Sequence, residues 1–163
     1  MSKEVKLSPR MRAILEAADC DTGWEVPKDD WENFPWQEYN SEIEIIHKRI
    51  NSELGLKLEE NRSVQDASFC GELYILGDTV SSEGMSVRGM QIGIIFSNFG
   101  KLYTIWSSEP LYREKFDVES IKRIIDYFGW QFVPNEELGA TYDGKHDQLR
   151  GKISWMDRFF SYV

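Results

Sequence analysis

Apolar residues recur at helical spacing in four stretches of the chain and alternate along others. Met11, Ile14, Leu15 and Ala18 make one stripe, behind Ser8 as a fitting N-cap and Pro9 at the first helical position. Ile43, Ile46, Ile50 and Leu54 make a second, with Ser41 and Glu44 at capping-box spacing and Gly55 where a helix would end. Val118, Ile121, Ile125 and Phe128 lie between Asp117, a suitable cap, and Gly129. Trp155, Phe159 and Tyr162 follow Ser154 and Asp157, spaced for capping. These patterns predict helices over 9–18, 41–54, 118–128 and 154–161.

Ala67, Phe69, Gly71, Leu73 and Ile75 alternate with Ser68, Cys70, Glu72 and Tyr74, which predicts a strand over 67–76 with one drier face. Two β-branched and aromatic runs predict strands over 90–97 and 101–107, joined by Asn98-Phe99-Gly100 with glycine free to take positive φ. Trp130–Val133 reads as a short fourth strand stopped by Pro134. Asn61–Ser68 reads as a polar lead-in to the sheet, Gly77–Gly89 as a flexible connection and Asn135–Gly151 as irregular. The order α-α-β-β-β-α-β-α predicts a single α+β domain over 1–163, a mainly antiparallel sheet with helices packed on one face.

Composition narrows the class. With 163 residues, 41% apolar and 29% charged, the chain suits one globular domain and not a disordered one; 13% aromatic predicts a ring-rich core. Its first ten residues lack the apolar segment of a signal peptide, and the apolar runs around Met90–Phe96 and Ile121–Phe128 are too short to cross a bilayer. Cys20 and Cys70 could pair, but without an export signal free thiols and a cytoplasmic protein are expected, with no membrane role.

Charge is concentrated. Between Asp19 and Glu44, nine acidic residues (Asp19, Asp21, Glu25, Asp29, Asp30, Glu32, Glu38, Glu42, Glu44) accompany one base, Lys28; the difference, −8, nearly equals the net −9 of the whole chain. Trp24, Trp31, Phe34, Trp36 and Tyr39 are threaded through the same stretch. Carboxylates steer basic partners, and stiff aromatic rings supply contact area at low entropy cost. The candidate partner-binding residues are therefore Trp24, Asp29, Asp30, Trp31, Glu32, Phe34, Trp36, Glu38 and Tyr39. A packed loop whose carboxylates only keep the surface hydrated would give the same pattern. Net negative charge argues against direct nucleic-acid binding; Arg113, Lys115, Lys122 and Arg123 near Tyr112 are interspersed with acids and read as a mixed surface.

Catalytic signals are sparse. His47 and His146 lie in no metal-binding spacing, and no nucleophile elbow or phosphate-binding glycine motif occurs, so no metal and no cofactor are expected. The strongest enzymatic alternative is Tyr142-Asp143-Gly144-Lys145-His146-Asp147, where Asp143 and Asp147 would hold a divalent cation or Asp147 would orient His146 as a base. Asp-Gly is also ordinary turn chemistry. The expectation is a non-enzyme. A third reading is a structural or homo-oligomeric module whose acidic segment confers solubility.

The acidic aromatic segment, the hairpin and the closing Trp155-x-x-Arg158-Phe159-Phe160-x-Tyr162 together resemble small acidic bacterial immunity proteins of toxin–immunity systems. The likeness is one of size, acidity, element order and aromatic C-terminus over the whole chain, not of a diagnostic motif. It implies a protein that binds and blocks a toxin domain, often a basic nuclease. No functional residue is carried over from it.

Overall fold

The computed structural model describes residues 3–62 and 64–162, so Ser63, in the polar lead-in to the sheet, lies outside the described residues. Helix α1 spans Pro9–Ala18, with the Ser8 hydroxyl accepting from Met11 N at 3.3 Å. Helix α2 spans Trp36–Leu54 and ends at Gly55 in left-handed conformation. It therefore starts five residues before the expected Ser41. Pro35 sets the boundary with no side-chain cap, and nothing between Trp36 and Asn40 opposes helix once that turn is made. Residues 36–44 of the acidic aromatic segment are thus helical.

Strand β1 (Glu59–Asn61) leads antiparallel into β2 (Phe69–Val80), which pairs with β3 (Ser86–Ser97), then β4 (Leu102–Ser107). Strand β5 (Gln131–Phe132) closes the five-stranded order β1-β2-β3-β4-β5 parallel to β4, within the short fourth strand expected at 130–133. The α+β class and the mainly antiparallel sheet are as expected. The connection 77–89 is not. Gly77↔Gly89, Asp78↔Arg88, Thr79↔Val87 and Val80↔Ser86 pair, so β2 and β3 run on as a two-stranded arm beyond their neighbours. The glycines make room for neighbouring side chains instead of flexibility: a Cβ on Gly77 would come within 2.6 Å of the Gln91 amide, and one on Gly89 within 2.8 Å of Thr79 Oγ1.

After β4 come a short helix α3 (Leu111–Lys115), helix α4 (Val118–Tyr127) and helix α5 (Trp155–Phe160). Asp117 caps α4 by accepting from Ser120 N at 3.2 Å, and Ser154 with Asp157 forms a full capping box on α5. Side chains alternate across the sheet. Leu73, Ile92, Ile94, Phe96, Tyr103 and Ile105 meet Ile43, Ile46 and Ile50 of α2 and Ile121 and Ile125 of α4 in one buried cluster. Ile95 and Leu102 point from the opposite face into a second cluster with Leu15 of α1, Phe99, Tyr142 and Trp155 and Phe159 of α5. Cys70 belongs to the first cluster and Cys20 to the second; both are free. Among the described residues no helix is long and apolar enough to cross a membrane.

Candidate functional site

The segment between α1 and α2 leaves the second cluster through an ion pair. Arg158 Nε donates to Asp19 Oδ1 at 3.0 Å, and both side chains are fully buried. Asp19 Oδ2 accepts from the Tyr142 hydroxyl at 2.6 Å and from Lys145 N at 2.7 Å. Arg158 also reaches the Trp24 carbonyl at 3.4 Å and lies over the Phe99 ring at 4.4 Å. Next come Gly23, at φ 89, and a single 3-10 turn over Pro27–Asp29. Any Cβ on Gly23 would collide with the Val26 carbonyl and Lys28 N, so this tight return requires glycine. Val26 is fully buried and pins the loop.

Four of the predicted rings then form a ladder from solvent to core. Trp31, 44% exposed, stacks on half-buried Trp36 with centroids 6.3 Å apart and planes 20° apart. Trp36 meets Phe34 at 4.3 Å, Phe34 meets Tyr39 at 5.3 Å, and Tyr39 meets Trp130 at 5.1 Å in the first cluster. Burial is therefore graded: Tyr39 and Phe34 are partly packed, as the packed-loop alternative requires, while Trp31 presents its ring to solvent. The desolvated Tyr39 phenol, with Cys70, Glu38 and Glu42 nearby, is pushed up to about 12. Trp24 stands apart, exposed and outside the ladder, with its backbone N–H donating to Asp29 Oδ1 at 3.3 Å.

Trp31 and Trp36 form a wall of a 540 Å³ groove whose other lining includes Glu25, Asp66, Ala67 and Phe69. Sequence reasoning missed the 64–69 side of this groove. The Ala67↔Tyr162 bridge and the Asn98 amide, donating to the Glu25 carbonyl at 2.8 Å and the Ala67 carbonyl at 3.2 Å, bring it there, and no local pattern encodes either contact. Phe34 and Tyr39 face a separate 220 Å³ pocket with Asp30, Asn33 and Asn98.

The acidic excess divides once the chain folds. Asp19 pairs with Arg158, Glu42 with Lys101 at 2.8 Å and with the Trp130 indole N–H at 2.9 Å, and Glu44 with Lys48 at 2.7 Å. Removing these three from nine leaves Asp21, Glu25, Asp29, Asp30, Glu32 and Glu38 without an ion pair among the described residues. Asp29, Asp30, Glu32 and Glu38 are exposed around the ladder. Burial first, then Asp66 and Asp29, hold the Glu25 carboxyl above its ordinary range.

The 142–147 loop packs against Asp19 at the end of α1. Tyr142 and Lys145 satisfy Asp19, and His146 N donates to the Tyr142 hydroxyl at 2.8 Å. Gly144 allows this approach, because a Cβ there would collide with Asp19 Oδ2 and the Tyr142 ring. Asp143 pairs with Arg12 at 3.1 Å and the largely exposed Asp147 with Arg150 at 2.8 Å. The Arg12 guanidinium holds the Asp143 carboxyl below its ordinary value. No cluster of three or more His, Cys, Asp or Glu side chains suited to a metal occurs among the described residues. His47 ties α2 to β1 by contacts to the Leu58 carbonyl at 2.6 Å and Glu60 at 3.1 Å.

Compared with family models, curated proteins and solved structures, the chain matches none.

Proposed function

We propose that this protein is a non-catalytic cytoplasmic binder that neutralises a basic protein partner, in the manner of a bacterial immunity protein blocking a toxin domain such as a nuclease. The observation that carries the reading is Trp31 stacked on Trp36, exposed beside a groove and rimmed by carboxylates that form no ion pair among the described residues. Exposed apolar surface inside a one-sign charge field costs solvation and repulsion unless a partner of opposite charge covers it. The ladder behind Trp31 holds the rings in place before binding, which lowers the ordering cost of association.

The test is capture from the native host by the immobilised protein, with an Asp29→Lys, Asp30→Lys, Glu32→Lys variant of unchanged circular dichroism as control. The expected result is a basic protein retained by the wild type and lost by the variant, whose own activity stops on addition of one equivalent. Retention by both proteins, or a retained protein whose activity is unaffected, overturns the reading.

A further inference from the structure

Glu25 and Asp66 stand on the Trp31–Trp36 groove, and neither carboxylate has an ionic or hydrogen-bonding partner among the described residues. The floor between them is apolar, from Ala67 and Phe69, both buried. The frame is stiff. One Asn98 amide nitrogen holds the Glu25 and Ala67 carbonyls together, and Phe69 packs edge-on to Tyr162 at 5.2 Å. Asp66 itself sits at φ 51, in the left-handed region that aspartate tolerates better than most residues. Two acidic side chains are thus kept beside the tryptophans with no ion pair among the described residues.

We propose that this groove receives an arginine side chain of the basic partner, its guanidinium plane against the tryptophan faces and its N–H groups donating to Glu25 and Asp66. Arginine fits better than lysine because its planar cation stacks on indole, is weakly hydrated and offers several donors to two separate carboxylates. An apolar side chain would leave both carboxylates desolvated without compensation. The 540 Å³ volume leaves room for the backbone that carries the arginine. A cation in the groove would offset the desolvation of Glu25 and the repulsion from Asp66 and Asp29 that hold its carboxyl above its ordinary range.

This inference rests on the protein being a binder of a basic partner, yet the two readings fail separately. The probe is Nα-acetyl-arginine amide at low ionic strength, followed by the indole N–H resonances of Trp31 and Trp36, with the neutral isostere Nα-acetyl-citrulline amide as comparison. Both resonances are expected to shift and saturate with the arginine probe. Citrulline should bind at least about tenfold more weakly, and so should arginine to a Glu25→Gln, Asp66→Asn variant, as expected when charge-assisted hydrogen bonds are lost. The variant keeps its fold, shown by an unchanged spectrum elsewhere, because it removes unpaired charge. Absence of shifts, equal binding of the two probes, or unchanged arginine binding by the variant overturns the proposal. Arginine binding without capture of any basic protein leaves the groove standing and removes the partner reading. A basic protein captured equally by wild type and variant does the reverse.

Discussion

Asp19 and Arg158 lie 139 positions apart in sequence and 3.0 Å apart in space, with no solvent on either side chain. Burying two charges is costly, and the cost is offset here by near-complete hydrogen bonding: two further donors on Asp19, and the Trp24 carbonyl and Phe99 ring on Arg158. The pair joins the end of α1, the loop carrying the tryptophans, the 142–147 turn and α5. Replacing one partner leaves the other charged and alone.

Arg158→Met is therefore expected to destabilise the fold by about 3–5 kcal/mol. The Asp19→Leu, Arg158→Met double variant should recover a large part of that loss, because it removes the orphaned carboxylate. Urea unfolding of the single and double variants measures this. Additive losses would mean that the two side chains are not coupled.

Tyr142 gives the same network a pH signature. Burial, then the hydrogen bond to Asp19, pushes its phenol up to about 12 from the ordinary value of 10. The folded state thus holds a proton that the unfolded chain releases first. The stabilisation is complete below the unfolded value and is lost as pH rises toward the folded one. Tyr39 and the buried Cys70 thiol, each also raised to about 12, act in the same direction. Stability should fall from about pH 8 upward, where an ordinary thiol begins to ionise. Tyr142→Phe should cost about 1–3 kcal/mol at neutral pH by leaving Asp19 and His146 N short of a partner, and should flatten part of the alkaline fall. Unfolding curves at neutral and alkaline pH decide it.

Elements with a local rule were legible in the sequence. Ser8, Asp117 and the Ser154–Asp157 box cap their helices where the polar residues stand, and Gly100 takes φ 60 in the β3–β4 turn. Exceptions arose where a residue outside the local pattern decides. Gly77 and Gly89 look like linker glycines until Gln91 and Thr79 are placed beside them. Ser41 and Glu44 have the spacing of a cap, but Pro35 starts the helix earlier. The acidic aromatic segment was visible as charge and rings; that Glu42 is neutralised by Lys101 while Glu25 is not, and that residues 64–69 complete the groove, depends on folding.

The arm formed by β2 and β3 makes a separate stability prediction. Its base is fixed by the Tyr112 hydroxyl and the Gln91 amide, each donating to the Asp78 carbonyl at 3.0 Å. Beyond Asp78, Val80, Met85 and Val87 are exposed. Replacing residues 80–86 by a two-residue Asn-Gly turn should change unfolding free energy by less than about 1 kcal/mol, because little apolar area is lost and the shorter turn suits a hairpin. Amide exchange should be fast at the tip and slow at the Ile94↔Ile105 centre of the sheet. A cooperative loss of the whole fold in the shortened protein would show that the arm belongs to the core.

The proposed interface predicts two kinetic effects of different kind. Asp29, Asp30 and Glu32 are exposed, and reversing their charge removes long-range attraction without removing contact area. Association with the basic partner should slow, and the slowing should shrink as salt rises and screens the field. Trp31 is a contact residue, and its exposure of 44% makes it a cleaner probe than Trp36, which also packs on Phe34. Trp31→Ala should leave the association rate nearly unchanged and weaken binding by about 2 kcal/mol or more through faster dissociation, as expected of an aromatic anchor. Its cost in folding stability should be small, since half-buried Trp36 keeps its contact with Phe34. Surface-immobilised binding kinetics across a salt series, run on variants with unchanged unfolding curves, separates the two. If Trp31→Ala dissociates like the wild type while charge reversal still slows association, the acidic loop steers a partner that docks on another face.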